Sequence, residues 1–154
     1  MENEVYIASF GAMGVNAVPM AWTEALTALQ QGTIQGQENP VNVIHAYKMW
    51  DSQKYCTLTR HAYAAAVITF SLEKFNSLPA DIQKIFTESA QEAAEYERAW
   101  VAENEATQIE TLKENGMEVI EDPDLESFKA AVQPVYDKYS QYSDYLKRIN
   151  EAIK

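Results

Sequence analysis

A chain of 154 residues, 47% of them apolar, is long enough for one globular domain and apolar enough to give it a core. Its net charge of −11 excludes a general nucleic-acid surface, which needs clustered Lys and Arg, and offers an anionic solute no long-range attraction. No apolar run reaches the roughly 18 residues of a membrane span, the opening MENEVYIASFGAMG lacks the charged start and long apolar centre of a signal peptide, and Cys56, being alone, leaves no internal disulfide.

The apolar stretch Val5–Met13 predicts a helix bounded by Gly14, and Val15–Met20 reads as extended. A second helix is expected over Trp22–Gln31, with Leu26 and Leu29 at helical spacing from Trp22 and Gly32 placed to stop it. Thr33-Ile34 reads as a short strand, Gln35–Asn39 as a turn, and Asn39-Pro40 as an N-cap followed by Pro at the first helical position. That helix should run to about Trp50. Tyr55–His61 and Ala65–Ser71 have strand chemistry, rich in Thr, Val, Ile and aromatics. Ser71 and Ser77 fit N-caps.

A very long helix is expected from Pro79 to about Asn115, ended by Gly116. Ile82, Ile85, Phe86, Ser89, Ala93, Tyr96 and Trp100 share one face, and the acidic run Glu88–Glu110 reads as its solvated side. Such a helix is roughly 55 Å long, so it must span two lobes, lie along a partner, or break. Met117–Glu121 is a strand candidate, and Asp122-Pro123-Asp124 a turn and cap. A last helix carries Leu125, Phe128, Val132, Val135, Tyr136 and Tyr139, with a kink expected at Pro134. Tyr136, Tyr139, Tyr142 and Tyr145 step by three, drift around a helix, and read as packing rather than as a binding face.

The segment Val18–Pro40 is the most informative for chemistry. It brings an aromatic, an acid and an amide to the ends of short elements, the ingredients of a polar pocket with an apolar wall. Trp22 serves either a core or such a wall. Asn39 either caps a helix or reads a carboxylate or hydroxyl with its amide. Glu38 in a Gly-Gln-Glu turn and His61 at a strand end are, on their own, ordinary surface and structural residues. No motif holds a nucleophile, and neither His45 nor His61 has a Cys or carboxylate at metal-ligand spacing, so neither catalysis nor a metal is expected.

Val18-Pro19-Met20-Ala21-Trp22, Ala28-Leu29-Gln30-Gln31-Gly32 and Gly36-Gln37-Glu38-Asn39-Pro40 carry a further signal. It continues through Gln53-Lys54-Tyr55, Leu58-Thr59, His61, Ser77-Leu78-Pro79-Ala80 and Pro134-Val135-Tyr136-Asp137-Lys138-Tyr139. In this order they resemble the solute-binding proteins of TRAP transporters, the DctP-type extracytoplasmic receptors for organic acids, and only the C-terminal half of those receptors. The resemblance implies an α/β, helix-rich fragment: the second lobe of a periplasmic-binding-protein-like (type II) fold with a long interlobe helix. It divides the chain into a ligand-binding segment of that lobe (1–61), a crossover strand with the long connecting helix (62–116), and a strand with a C-terminal helix packing on the lobe (117–154).

The resemblance further implies non-catalytic binding of a small organic acid, such as a dicarboxylate or sugar acid, without a cofactor. A TRAP membrane permease would be the partner and the periplasm or extracytoplasmic space the location of the parent receptor. Trp22 would stack on the ligand, Asn39 would contact its carboxylate, and Glu38 and His61 would form a hydrogen-bonded network behind them, Glu38 fixing the tautomer of His61. The family's carboxylate-binding arginine matches a position immediately upstream of Met1, which makes Asn3 a neighbouring ligand contact. The chain's own arginines are Arg60, Arg98 and Arg148, with Arg60 on a strand facing either cleft or solvent. This chain alone is therefore expected to bind weakly. The alternative expectation is an interaction protein without a ligand, a homo-oligomer that self-associates through the exposed Ile82–Trp100 stripe or swaps along that helix.

Overall fold

The computed structural model describes residues 3–152. They form helices α1 (Glu4–Ala12), α2 (Trp22–Gln30), α3 (Val41–Ala46), α4 (Leu72–Asn76), α5 (Ala80–Glu114), α6 (Leu125–Lys138) and α7 (Ser143–Ala152), with strands β1 (Tyr55–Thr57) and β2 (Glu118–Ile120). One-turn 3₁₀ helices occupy Met49–Asp51 and Ser140–Tyr142. The chain packs as two units: residues up to 37 together with those from 120 onward, and residues 38–119. Among the described residues, no helix is long and apolar enough to cross a membrane.

In the first unit α1 packs on α6. Its buried side chains are Ala25, Ala28 and Leu29 on one face of α2, and Val135 on α6. Asn3 starts α1, its Oδ1 accepting from the N–H groups of Val5 (2.9 Å) and Tyr6 (3.2 Å). Asp124 starts α6 in the same way, accepting from the Ser127 N–H at 3.1 Å. The expected apolar stripe of α6 is real, with Val135 buried and Leu125, Phe128, Val132 and Tyr139 half-buried. Pro134 lies on its exposed side, so the carbonyl that loses a helical donor there is close to water. Tyr136, Tyr142 and Tyr145 are exposed, which corrects the expectation that they pack.

In the second unit α3 lies against α5. Ile44, Met49, Cys56, Leu112 and Met117 are its buried apolar residues. β1 and β2 make a two-stranded sheet, and the Glu118 N–H donates to the Lys54 carbonyl at 2.8 Å. The end of α5 explains this arrangement. Gly116 sits at φ +89°, its N–H donates to the Lys113 carbonyl (2.9 Å), and the Met117 N–H reaches back to the Leu112 carbonyl (3.0 Å). This Schellman closure brings buried Met117 onto buried Leu112 and aims the chain into β2. Gly116→Ala leaves space for the methyl but forces a left-handed residue, so it should cost about 1–2 kcal/mol, read as a lower urea midpoint with an unchanged slope.

The structure departs from the sequence expectations at several points, each with a physical reason. Pro40, not Asn39, is the N-cap residue of α3, and α3 stops at Ala46 instead of continuing to Trp50. Lys48 then adopts a left-handed conformation (φ 49°), which costs about 1–2 kcal/mol. The turn drives Met49 to 2% exposure, and burying a Met side chain returns about 1.5–3 kcal/mol. Thr33-Ile34 is a bend rather than a strand, because both N–H groups fold back to the Ala28 carbonyl. Ser77 closes α4 rather than opening α5, whose N-cap is Pro79, whereas Ser71 does cap α4 through the Lys74 N–H. The strand expected over Tyr55–His61 ends at Thr57, and Arg60 turns the chain at φ 46°, so Arg60 is an exposed turn residue and not a strand residue. Residues 65–71 form neither helix nor strand and enter no sheet among the described residues.

Candidate functional site

Trp22 is the first residue of α2 and is half-buried. Its position follows from the chain on either side. Pro19 and the extended Ala21 (φ −64°, ψ 142°) deliver it, and Gly32 (φ +69°) closes the helix behind Leu29. Asn39 is half-buried and lies directly before Pro40. The Oδ1 of Asn3 is committed to the start of α1, which leaves its NH₂ as the group that can face a solute. Asn3 and Trp22 belong to the first unit, and Glu38, Asn39 and His61 to the second.

Within the second unit the structure brings Glu38 and His61 together across 23 positions of sequence. His61 Nε2 lies 3.2 Å from Glu38 Oε2, and His61 Nδ1 lies 2.7 Å from Thr59 Oγ1. Glu38 offers only acceptors when ionised, so Nε2 carries the proton and donates to it. In the neutral ring, the Thr59 hydroxyl then donates to Nδ1. One tautomer and one ring plane are thereby selected. The two side chains are 32% and 30% exposed, so the pair stays in reach of water and of a solute. Thr59 was given no role from sequence. The signal was there, as a hydroxyl two residues before a histidine, where the Thr59 N–H folds back on the Thr57 carbonyl at 2.9 Å.

Two other features lie apart from these residues. A groove of about 420 Å³ runs between α3 and α5, lined among others by Asn42, His45, Trp100, Asn104 and Gln108. His45 also meets Trp50 edge-on at 6.0 Å. No sequence pattern singled the groove out, because its residues come from helices far apart in the chain and none forms a motif. Cys56 is buried on β1, and burial pushes its thiol pKa up, which keeps it protonated and a poor nucleophile. Among the described residues, no group of three or more His, Cys, Asp or Glu is placed to hold a metal ion.

Residues 1–142 match the family described as bacterial extracellular solute-binding protein, family 7 (DctP). The chain is 38% identical over 151 residues to the 2,3-diketo-L-gulonate-binding periplasmic protein YiaO of Escherichia coli, covering 95% of this chain and 46% of that one. A solute-binding protein of Verminephrobacter eiseniae is 41% identical over 141 residues, covering 92% and 42%. Among solved structures, a TRAP periplasmic solute-binding protein from Polaromonas sp. JS666 bound to D-erythronate superposes with a TM-score of 0.84 at 41% identity, covering 92% of this chain and 46% of that one. Another, from Sulfitobacter sp. NAS-14.1 with bound β-D-galacturonate, gives 0.86 at 27% identity, covering 96% and 49%. The chain spans about half the length of the relatives it matches. The shared architecture is the helix-rich type II fold of periplasmic binding proteins, carrying the long helix seen here as α5. The family consists of periplasmic solute receptors of transporters rather than enzymes, and this chain belongs to it, matching the C-terminal half of a DctP-type, family 7 solute-binding protein.

Proposed function

We propose that this chain supplies the C-terminal half of a TRAP receptor for a small organic acid, a hydroxy or sugar acid in chemistry. In this reading Trp22 is the apolar wall, Asn39 the carboxylate or hydroxyl donor, and Asn3 a marginal contact. Glu38 and His61 hold the floor of the site in one protonation pattern. The observation that carries the reading is the Thr59–His61–Glu38 chain, a partly exposed imidazole gripped at both nitrogens. A fixed imidazole presents a constant pattern of donors to its surroundings, as recognition of a polyhydroxy acid requires. The acids bound by relatives (erythronate, galacturonate) share a carboxylate beside hydroxyls. The receptor would act in the periplasm and deliver its solute to a TRAP permease, closing through contacts that only the closed state makes.

This chain by itself binds weakly. Arg60, Arg98 and Arg148 are all exposed. An exposed ion pair contributes about 0–1 kcal/mol, whereas losing one partner of a buried, hydrogen-bonded charge pair costs about 2–5 kcal/mol. Calorimetric titration with D-erythronate, D-galacturonate and 2,3-diketo-L-gulonate should show no binding tighter than about 100 μM. Micromolar affinity for any of them would contradict the weak-binding reading. Self-association without a solute is the second reading, favoured by the exposure of Ile85, Phe86, Tyr96 and Trp100 along α5. A monomer at all concentrations in sedimentation would remove it.

A further inference from the structure

Arg60 is exposed and sits at φ 46°, a left-handed conformation that it shares, among the described non-glycine residues, only with Lys48. That region crowds a Cβ, and Gly, Asn and Asp are the residues that enter it readily. At Lys48 the turn drives Met49 into the core. At Arg60 the next residue is His61, which is exposed, so core packing does not explain the turn. Among the described residues, no hydrogen bond or ion pair of the guanidinium accounts for it either. The effect lies in the two flanking side chains. In an extended run, alternate residues stand about 6.6 Å apart. A residue in a helical well of either hand shortens that step, and across Arg60 the Thr59 Oγ1 meets His61 Nδ1 at 2.7 Å. The run is tightened once more just before it, where the Thr59 N–H donates to the Thr57 carbonyl at 2.9 Å. The other ring nitrogen of His61, Nε2, then lies 3.2 Å from Glu38 Oε2. A strained backbone beside an aligned polar chain is the mark of a position kept for its geometry.

We propose that Arg60 is a positioning residue whose left-handed turn, and not its charge, locks Thr59 onto His61, so that the imidazole presents its Nε2 proton to Glu38. A specificity role follows, because a ring held in one tautomer offers a solute one fixed pattern of donors. That role rests on the reading of His61 as part of the organic-acid site. The hold on the ring does not, and it is tested without any solute, so either can fail alone.

The test is NMR of the His61 ring in this chain, at roughly pH 8, above the ordinary histidine range. Four substitutions separate shape from charge. Arg60→Lys keeps the charge, Arg60→Gly and Arg60→Asn suit the left-handed turn without it, and Arg60→Val keeps neither. The starting chain should show Nδ1 unprotonated and hydrogen-bonded and the Nε2 proton protected from exchange. Arg60→Lys, Arg60→Gly and Arg60→Asn should keep this signature. Arg60→Val should lose it, with Nε2 proton exchange faster by about 10-fold or more, and should match the ring signals of Thr59→Ala. Arg60→Asn decides independently should Arg60→Val fail to fold: a signature retained without the charge supports the turn. A signature lost in both Arg60→Gly and Arg60→Asn, or unchanged in a folded Arg60→Val, overturns the proposal.

Discussion

Leu112→Ala should destabilise the chain by about 2–5 kcal/mol, a large part of the roughly 5–15 kcal/mol that holds a domain together. Leu112 is 0% exposed, and among the described residues no larger side chain is so fully buried. Its carbonyl accepts the Met117 N–H, and Met117 is itself 4% exposed. The truncation thus removes the side chain on which the end of α5 and the start of β2 converge, and it leaves a cavity that a rigid Schellman turn cannot collapse into. Leu112→Met, which nearly conserves volume, should cost less than about 1.5 kcal/mol. Urea unfolding followed by circular dichroism separates the two. Equal midpoints for the two variants would show that the core of the second unit does not centre on Leu112.

The second large effect concerns the solute. In this chain joined to a first half from a relative, Asn39→Ala should weaken binding of the cognate acid by about 1.5–3 kcal/mol, or roughly 10–150-fold, the range for a hydrogen bond to a charged group. Asn39→Asp should be worse than Asn39→Ala, because it sets a second negative charge against the carboxylate. Trp22→Ala should cost about 2 kcal/mol or more if the indole is a buried anchor for the carbon skeleton. Affinities within twofold of the starting protein for both alanine variants would remove these residues from the site.

Much of the fold was legible because local chemistry and tertiary packing agree. The expected span of α5 differs from the observed one by a residue at each end, since Ala and Glu fill it and Gly116 alone supplies the left-handed stop. The same agreement holds for the caps at Ser71 and Asp124 and for the strand at β2. The misses fall where packing overrides local preference. Asn39 has a good capping side chain, but Pro40 takes the N-cap position. The helix expected to reach Trp50 breaks at Lys48, and no residue-by-residue propensity can show that Met49 is needed in the core. Residues 65–71 have strand chemistry, but a strand exists only with a neighbour, and none is described for them.

The candidate site was legible in a different way. Neither Glu38 nor His61 stands out by composition or spacing, and the resemblance to organic-acid receptors is what paired them. In the structure the two side chains lie 3.2 Å apart. Thr59, which completes the grip on the ring, carries part of the resemblance but suggests no side-chain role, because a threonine in a strand-like run reads first as strand chemistry. The groove between α3 and α5 escaped because its walls meet only in three dimensions.

The most direct test follows the ring and side-chain signals of this chain by NMR while D-galacturonate or D-erythronate is added up to about 50 mM, where even a contribution of only ~3 kcal/mol is visible. The account predicts fast-exchange shifts at the Trp22 indole, the Asn39 amide and the His61 ring, with Glu38→Gln altering the His61 response. Shifts confined to His45 and Trp100, or none at Trp22, Asn39 and His61 across the whole titration, would contradict it.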